Sequence, residues 1–367
     1  MSHKKIKIRL YLFPFSFLYG LVVSIRNRMF DSKILHPYEF DIPVITVGNI
    51  SIGGTGKTPH VEYLVRILKD ECDVCILSRG YKRKTKKFKI AAIDSTVNDI
   101  GDEPKQIKQK FPEICVIVDK DRRNAINKIL NDEQNNINVV ILDDAYQHRK
   151  VKPGLSILLI DYNRPITKDY LLPVGSLRER SWRKNRAHLI LVTKTPKDLK
   201  PIERRIMETE LNIFPYQSLF FTTFKYGEII PVFKNDNIID IPVINNNTTI
   251  VLITGIAMPA TLVNYLKAIT EKIEHIKFAD HHYYKQKDIS IIIDAYDKID
   301  GKNKIIITTE KDAMRIQDCD FIDNLKNLPL FYIPIEVEFL DKSKQDDFNK
   351  IVKNYVKTNK RHGKLYI

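Results

Sequence analysis

The chain has 367 residues, of which 43% are hydrophobic, so it can bury substantial cores, and its length predicts about two domains. Its four cysteines are too few and too scattered for a disulfide framework, which excludes the disulfide-rich secreted class and suits a reducing cytosol. The net charge of +15 indicates an anionic partner, which can be a nucleic acid, a membrane face or a phosphorylated substrate.

The N-terminal segment, residues 1–30, combines basic and aromatic residues. Basic residues flank an uncharged run from Leu10 to Val23, which is shorter than the roughly 20 residues that span a bilayer. Pro14 and Gly20 interrupt this run, and no Ala-x-Ala-like cleavage site follows it. We therefore expect a helix that lies in the membrane interface, with a helix buried against the protein body as the alternative.

Apolar runs alternate with polar, helical segments through the first half of the chain. This rhythm predicts a parallel α/β sheet, and it resumes later as a second, smaller α/β unit. The predicted strands of the first unit are Val44–Val47, Val74–Leu77, Ile114–Val118, Val139–Leu142, Ile157–Ile160 and Leu189–Val192. Those of the second unit are Ile250–Thr254, Ile276–Phe278 and Ile305–Thr308.

Two further alternating runs, Ser218–Tyr226 and Leu330–Phe339, are expected to pair as a two-stranded ribbon that joins the two units. The predicted fold class is thus α/β, with a P-loop NTPase-like parallel core, a second, smaller α/β domain and an N-terminal interfacial helix. The predicted parts are the helix at 1–30, the core at 31–217 with 340–367 packing back on it, the ribbon at 218–226 and 330–339, and the smaller domain at 227–329.

A glycine-rich turn follows the first predicted strand and precedes a helical pattern. Strand, glycine loop, Gly-Lys-Thr and helix is the context of a phosphate-binding loop, in which backbone N–H groups and a lysine bind phosphates and a hydroxyl binds magnesium. Ser51 stands where the full motif has glycine, and the alternative is an ordinary glycine-rich turn. The residues expected to bind the nucleoside triphosphate are Ser51, Ile52, Gly53, Gly54, Thr55, Gly56, Lys57 and Thr58.

Acidic residues occur at two positions where such a site needs them. Asp143 and Asp144 end the strand Val139–Leu142, where NTPases place the carboxylate that holds magnesium, although an Asp-Asp pair is also common in solvated turns. Asp102 and Glu103 begin a helical segment, where a helix cap is the simpler interpretation and does not exclude catalysis.

Basic and histidine-containing loops follow other predicted strands. The stretches 79–87, 121–123 and 171–180 contain Arg79, Arg122 and Arg123 among others, and each suits either a solvated loop or phosphate binding. Asp280 and His281 lie just beyond a strand of the second unit. They are too few for a zinc site but suit proton transfer.

Seven segments occur in an order that resembles the tetraacyldisaccharide 4'-kinase family of lipid A biosynthesis. They cover nearly the whole chain, and the serine at position 51 is itself similar to the family's loop. The segments are Val47-Gly-Asn with Gly53-Gly-Thr-Gly-Lys-Thr-Pro59, Leu77-Ser-Arg-Gly-Tyr81, Gly101-Asp-Glu-Pro104, Asp143-Asp144 with Gln147-His148-Arg149, Leu171-Leu-Pro-x-Gly-x-Leu-Arg-Glu179, Asp280-His281 and Thr309-Glu-Lys-Asp312.

The resemblance implies an enzyme that transfers the γ-phosphoryl group of ATP, with Mg²⁺, to the 4'-hydroxyl of a tetraacylated disaccharide 1-phosphate, making lipid IVA. It implies a peripheral, monotopic monomer on the cytoplasmic face of a Gram-negative inner membrane, with no nucleic-acid partner. The departure from the family is Ala145-Tyr146, where many relatives have Gly-Leu, which affects the expected turn more than the chemistry.

The resemblance also implies roles for individual residues. Lys57 and Thr58 would bind phosphate and magnesium, and Asp102, paired with His281, would be the base. The residues expected to order nucleotide or metal are Glu103, Asp143, Asp144 and Glu179, and the candidates for binding the 1-phosphate of the acceptor are Arg79, Arg122 and Arg123.

Two other classes of function fit part of the sequence. A P-loop NTPase switch, acting on nucleic acid or a protein partner, would use the basic loops, and it would turn over ATP without a lipid acceptor. A non-enzymatic membrane-binding protein would leave the combination of Lys57, Asp102 and Asp143 unexplained.

Overall fold

The computed structural model describes residues 9–132, 136–233, 242–301 and 303–359. Lys4, Lys5 and Lys7 of the basic N-terminus lie outside the described residues, as does 360–367 of the segment expected to pack back on the core.

The helices and strands alternate along most of the chain. The helices are α1 Phe13–Asp31, α2 Lys57–Leu68, α3 Val97–Ile100, α4 Asp102–Lys110, α5 Arg122–Leu130, α6 Pro201–Leu211, α7 Ala260–Lys267, α8 Gln286–Asp297, α9 Glu310–Ile316 and α10 Lys342–Asn359. The strands are β1 Val44–Gly48, β2 Val74–Ser78, β3 Lys89–Ile90, β4 Cys115–Val118, β5 Val139–Asp143, β6 Leu155–Asp161, β7 Leu189–Thr193, β8 Ser218–Tyr226, β9 Ile230–Pro231, β10 Thr249–Thr254, β11 Ile273–Lys277, β12 Lys304–Thr309, β13 Leu330–Ile333 and β14 Ile335–Phe339.

The larger sheet has nine strands in the order β14-β8-β7-β6-β1-β5-β2-β4-β3. The seven strands from β8 to β4 are parallel, and β14 and β3 run antiparallel at the two edges. Strands buried on both faces of a parallel sheet read as continuous apolar runs, so the predicted α/β sheet is confirmed. Val47 of β1 pairs with Asp143 of β5, which brings the glycine loop and the Asp143-Asp144 pair to one edge.

The smaller sheet has five strands in the order β11-β10-β12-β13-β9. Two of its strands lie close to the predicted ones, but β11 covers Ile273–Lys277 rather than Ile276–Phe278. This strand is at the edge of the sheet, and several of its side chains are exposed. An edge strand lacks the continuous apolar pattern of a central one, which is why the sequence misplaced it.

The predicted β-ribbon forms, but it belongs to the larger sheet. Strand β8 pairs antiparallel with β14 and also parallel with β7. The run Leu330–Phe339 divides at Pro334, so that β13 joins the smaller sheet and β14 the larger one. Proline has no N–H to donate, so it suits a break between two sheets. The residue bounds of the four predicted parts remain a prediction.

Helix α10 packs on the larger sheet near the end of the chain. Phe348, Val352 and Val356 are buried in the core of that sheet. The Tyr355 hydroxyl accepts a hydrogen bond from the backbone N–H of Val44, at 3.0 Å. The helix therefore supports the strand that precedes the glycine loop.

Helix α1 has one buried and one exposed face. Ser16 Oγ donates to the Leu171 carbonyl at 3.0 Å, and a Cβ on Gly20 would lie 2.8 Å from Leu171, so only glycine fits there without a shift. The helix with its preceding turn, Leu10–Asp31, is long and apolar enough to cross a membrane by length and composition alone. The uncharged run Leu10–Val23 makes up only the first part of this segment, because Arg26 and Arg28 follow in the same helix. Its exposed apolar residues are Leu10, Tyr11, Phe13, Phe15, Phe17, Leu18, Leu21, Val22 and Ile25.

Residues of α2 and β8 pack against the glycine loop and hold it in place. Gly56 has φ +87°, and a Cβ at this position would clash with the Phe224 ring. His60 Nδ1 lies 2.7 Å from the Gly56 carbonyl and Nε2 3.0 Å from Thr222 Oγ1. The contacts fit a neutral imidazole that donates through Nδ1 and accepts through Nε2. Burial lowers the pKa of His60 to about 4, against the opposing effect of the hydrogen bond to Gly56.

The low pKa of His60 predicts a loss of stability in acid. Between the ordinary value of 6.5 and the folded value of about 4, the unfolded chain binds a proton at this histidine and the folded chain does not. The free energy of unfolding therefore falls as the pH is lowered, by up to about 2 kcal/mol from this group between about pH 6.5 and pH 5. Urea unfolding at both pH values should show that the free energy of unfolding falls less in His60→Gln than in the unaltered protein.

The matched control is His36→Gln, because His36 is exposed. This variant should keep the pH dependence of the unaltered protein. An equal pH dependence in His60→Gln and the unaltered protein would contradict the assignment.

Candidate active site

A cavity of about 940 Å³ lies where the carboxyl ends of the larger sheet meet the smaller sheet and α1. Residues from all three regions line it, which places the glycine loop opposite side chains of the second unit. These residues include Tyr19, Val23 and Arg26 from α1, Gly54, Lys57, Ser78 and Asp143 from the larger sheet, and Met258, His281 and Lys311 from the second unit.

Of the eight predicted nucleotide-binding residues, the seven from Ile52 to Thr58 line the cavity. Ser51 is buried and forms an isolated bridge with Leu177. Two hydrogen bonds fix the loop at Thr55, whose hydroxyl accepts from Asn49 Nδ2 at 2.9 Å and whose carbonyl accepts from Thr193 Oγ1 at 2.9 Å. The loop is thus held in place by the strands around it.

Asp143 is a buried carboxylate with an incomplete set of partners. Oδ2 accepts from Ser78 Oγ at 3.1 Å, whereas Oδ1 is buried with no partner among the described residues. Burial raises the pKa of Asp143 to about 7, and the negative charges of Glu103 and Asp144 add to the effect. A cation bound at Asp143 would instead favour the ionised carboxylate and lower its pKa.

Asp144 is neutralised by two cations from different elements. Lys57 Nζ lies 3.7 Å from Asp144 Oδ1, and Arg178 Nη1 lies 3.2 Å from the same atom. The lysine of the glycine loop therefore reaches the acidic pair directly.

The residues around Asp143 fit magnesium when the nucleotide shares the coordination. Among the described residues, no group of three His, Cys, Asp or Glu side chains is close enough to hold a metal by itself. Mg²⁺ in nucleotide sites is typically held by one or two carboxylates together with phosphate oxygens and water. The unpartnered oxygen of Asp143 and the hydroxyl of Thr58, which lines the cavity, suit that arrangement. Glu179 also lines the cavity, and one of its oxygens pairs with Arg186 while Oε1 has no partner among the described residues.

Asp102 and His281 form a hydrogen-bonded pair between the two units. His281 Nδ1 lies 2.8 Å from Asp102 Oδ2. Asp102 is only 3% exposed, whereas His281 lines the cavity. The histidine therefore presents the pair to a ligand. Its φ of +56° is unusual for a residue other than glycine and occurs where the chain turns into the cavity.

Arg315 of α9 forms hydrogen bonds with the carboxylate of Asp102. Its Nε lies 3.2 Å from Asp102 Oδ2, its Nη2 bonds the same oxygen, and its Nη1 donates to Asp312 at 2.8 Å. Burial alone would raise the pKa of Asp102. The hydrogen bond from His281 and the charges of Lys311 and Arg315 outweigh it, so the pKa lies well below its ordinary value. The aspartate is therefore a fixed anion.

The basic residues predicted to bind phosphate occupy different environments. Arg79 and Arg122 line the cavity. Arg122 is buried, and its Nη1 donates to the carbonyls of Asp119 and Lys120 at 3.1 and 3.3 Å. Arg123 stacks instead on the Tyr38 ring, 4.4 Å from its centroid.

Sequence reasoning missed several residues of the site. Arg315 and Lys311 lie in or next to the Thr309–Asp312 motif, which we recognised without giving it a role. The spacing of Asp312 and Arg315, three residues apart on one helix, is a signal that reasoning from the sequence can use. Tyr19, Val23 and Arg26 were expected at a membrane only, yet they also line the cavity.

Comparisons with known proteins agree with this geometry. The family model described as tetraacyldisaccharide-1-P 4'-kinase matches residues 8–357. The chain is 44% identical to a tetraacyldisaccharide 4'-kinase of Bacteroides thetaiotaomicron, over 99% of this chain and 97% of that one. It is 45% identical to one of Phocaeicola vulgatus, over 99% of both.

A solved structure is also similar along its whole length. The crystal structure of LpxK from Aquifex aeolicus in complex with ATP is 28% identical, with a TM-score of 0.73, over 95% of this chain and 99% of that one. The family match, the full-length relatives and the shared fold lead to one conclusion. The chain belongs to the tetraacyldisaccharide-1-P 4'-kinase family.

Proposed function

We propose that this chain is an ATP-dependent kinase that phosphorylates the 4'-hydroxyl of a tetraacylated disaccharide 1-phosphate and so makes lipid IVA. The observation that carries the proposal is that the glycine-loop lysine, Lys57, and the paired histidine, His281, line one cavity. A switch NTPase has no need of a proton acceptor for a second substrate. The full-length relatives favour the kinase over the switch.

The donor half of the site would bind ATP through the loop from Ile52 to Thr58. Its backbone N–H groups and Lys57 suit the phosphates. Mg²⁺, when bound, would offset charge on the phosphate oxygens, held by Thr58, Asp143 and Asp144, with Glu103 and Glu179 as further carboxylates. Arg79 and Arg122 are candidates for the acceptor's own phosphate, whereas the stacking of Arg123 on Tyr38 makes it the weakest of the three.

The acceptor half would use the Asp102–His281 pair. The hydroxyl oxygen forms a bond to the γ-phosphorus, the bond from that phosphorus to the ADP oxygen breaks, and the hydroxyl proton passes to the pair. A carboxylate with a low pKa is a weak base, so we assign the proton to His281 Nε2, while Asp102 accepts from Nδ1–H and fixes the tautomer. This refines the expectation that Asp102 itself takes the proton.

Helix α1 would attach the enzyme to the cytoplasmic face of the inner membrane as a peripheral, monotopic protein. Its exposed face is apolar and aromatic, which suits the boundary between headgroups and acyl chains. Its other face packs on the protein, where Ser16 and Tyr19 donate to the carbonyls of Leu171 and Arg178. A helix held along the protein surface in this way favours an interfacial over a spanning position.

The function is tested by transfer of label from γ-³²P-ATP to the disaccharide 1-phosphate in detergent, with magnesium. We expect labelled lipid and ATP turnover that depends on the acceptor. Hydrolysis of ATP at the same rate without the acceptor, and no labelled lipid, would favour the switch instead.

The pair is tested by Asp102→Asn and His281→Ala. Each should lower kcat by roughly 100-fold to 10,000-fold with a much smaller change in KM, because a general base acts in the transition state. Asn at position 102 keeps an acceptor for Arg315, so the fold is less perturbed than in Asp102→Ala. The double variant should be little worse than the single ones, since the two residues act as a unit. A normal kcat in Asp102→Asn, or additive losses, would contradict the assignment.

Membrane attachment is tested on the exposed face of α1. The triple variant Phe17→Ser, Leu18→Ser and Val22→Ser should sediment less with vesicles of phosphatidylethanolamine and phosphatidylglycerol, because it loses apolar area at the interface. The control is Ile202→Ser with Ile206→Ser, which removes exposed apolar residues from α6. Equal sedimentation of the triple variant and the unaltered protein would show that α1 is not the attachment site.

A further inference from the structure

We propose that Lys311 is a second phosphate-binding lysine, which contacts the terminal phosphoryl group of ATP from the wall of the cavity formed by the second unit. This inference rests on the proposed function, because it takes ATP as the donor. It assigns a role to the Thr309–Asp312 motif at the start of α9.

The position of Lys311 is the first observation. It lines the same cavity as the glycine loop, together with its neighbours Thr309 and Glu310. Its Nζ pairs with Glu103 Oε1, and the two side chains are 28% and 20% exposed. The pair is therefore accessible from the cavity.

The partners of Lys311 differ from those of the other lysines that join α4 to α9. Lys110 binds Glu62 and Glu310, and Lys105 binds Asp318 and the Met314 carbonyl. The described residues give Lys311 Nζ hydrogen bonds to Glu103 alone. An ammonium group has three N–H donors, so Lys311 can donate to a ligand without leaving Glu103.

The ion pair of Lys311 with Glu103 favours the charged form of the lysine. Its Nζ pairs with Glu103 Oε1, and both side chains are partly exposed to the cavity. The side chain therefore faces the cavity as a cation, as phosphate binding requires.

Helix α9 places Lys311 close to the acceptor pair. Residues four apart lie on the same face of a helix, and Arg315 is four residues after Lys311. Arg315 bonds Asp102 while Lys311 bonds Glu103, the next residue of α4. Since in-line transfer brings the migrating phosphoryl group next to the hydroxyl that loses its proton, a cation at this position lies beside the reacting atoms.

The two lysines then have matching environments in the two units. Lys57 reaches Asp144 and Lys311 reaches Glu103, so each ammonium group is paired with a candidate magnesium ligand. Preorganised cations around the transferred group stabilise its charge, and one supplied by the second unit would make tight ATP binding depend on contact between the units.

The test is equilibrium binding of the non-hydrolysable analogue β,γ-imido-ATP and of ADP, both with magnesium, to Lys311→Met. We expect the affinity for the analogue to fall roughly tenfold or more and the affinity for ADP to change less than about twofold, since only the analogue carries the terminal phosphate. Lys311→Arg should recover most of the difference, because arginine keeps the charge. Equal changes for both nucleotides, or no change for either, would overturn the proposal.

The matched control is Lys110→Met, which also removes a lysine that joins α4 to α9. It should leave the ratio of the two affinities as in the unaltered protein, and an equal change of that ratio in both variants would overturn the proposal. Circular dichroism checks the folding of each variant, and Lys311→Gln, which keeps a donor for Glu103, takes the place of the methionine variant if that one is unfolded. Because binding needs no lipid acceptor, this result is independent of whether the unaltered protein labels the lipid.

Discussion

The buried carboxylate of Asp102 is the constraint on which the arrangement of the two units depends. An ionised side chain this deeply buried is costly unless charged partners and hydrogen bonds satisfy it. Its side-chain partners, His281 and Arg315, both come from the second unit. The start of α4 is therefore stable as an anion only while α9 and the loop after β11 pack against it, so the same contacts that join the units also build the pair that faces the cavity.

At Asp143, burial outweighs the effect of nearby positive charges, which is the opposite of what happens at Asp102. The pKa of Asp143 is raised rather than lowered, because burial and two neighbouring carboxylates act on it together. Asp102 and Asp143 thus lie in one site with contrasting environments. Protein side chains balance the negative charge of Asp102, whereas the charge of Asp143 would be balanced only by a bound ligand. Such a contrast between titratable groups is common where a site must bind charge on one side and accept a proton on the other.

The central strands and the glycine loop were predictable from the sequence, because the residue patterns that mark them are local. The central strands are buried on both faces, so their apolar runs gave β1, β2 and β5 to within about a residue or two, and the glycine loop has a pattern that carries its own mechanism. The pairing of Asp102 with His281 came only from the family resemblance, since 179 positions separate them. The spacing of Asp312 and Arg315 on one helix was a signal for their pairing, but the contact of Arg315 with Asp102 became visible only once α9 was seen to face α4. The exposed strand β11 lacked the apolar pattern that marks a strand.

Helix α1 contributes residues to the cavity on one side and presents an apolar face on the other. If that face lies in the bilayer as we propose, the mouth of the cavity opens at headgroup depth. A substrate with several acyl chains would then need to raise only its sugar, while its chains stay in the lipid phase. Full extraction would cost about 0.8 kcal/mol for each methylene exposed to water, which for four chains exceeds any plausible binding energy of a headgroup. The enzyme would therefore meet its acceptor by lateral diffusion in two dimensions, and its rate would follow the surface density of the lipid rather than its bulk concentration.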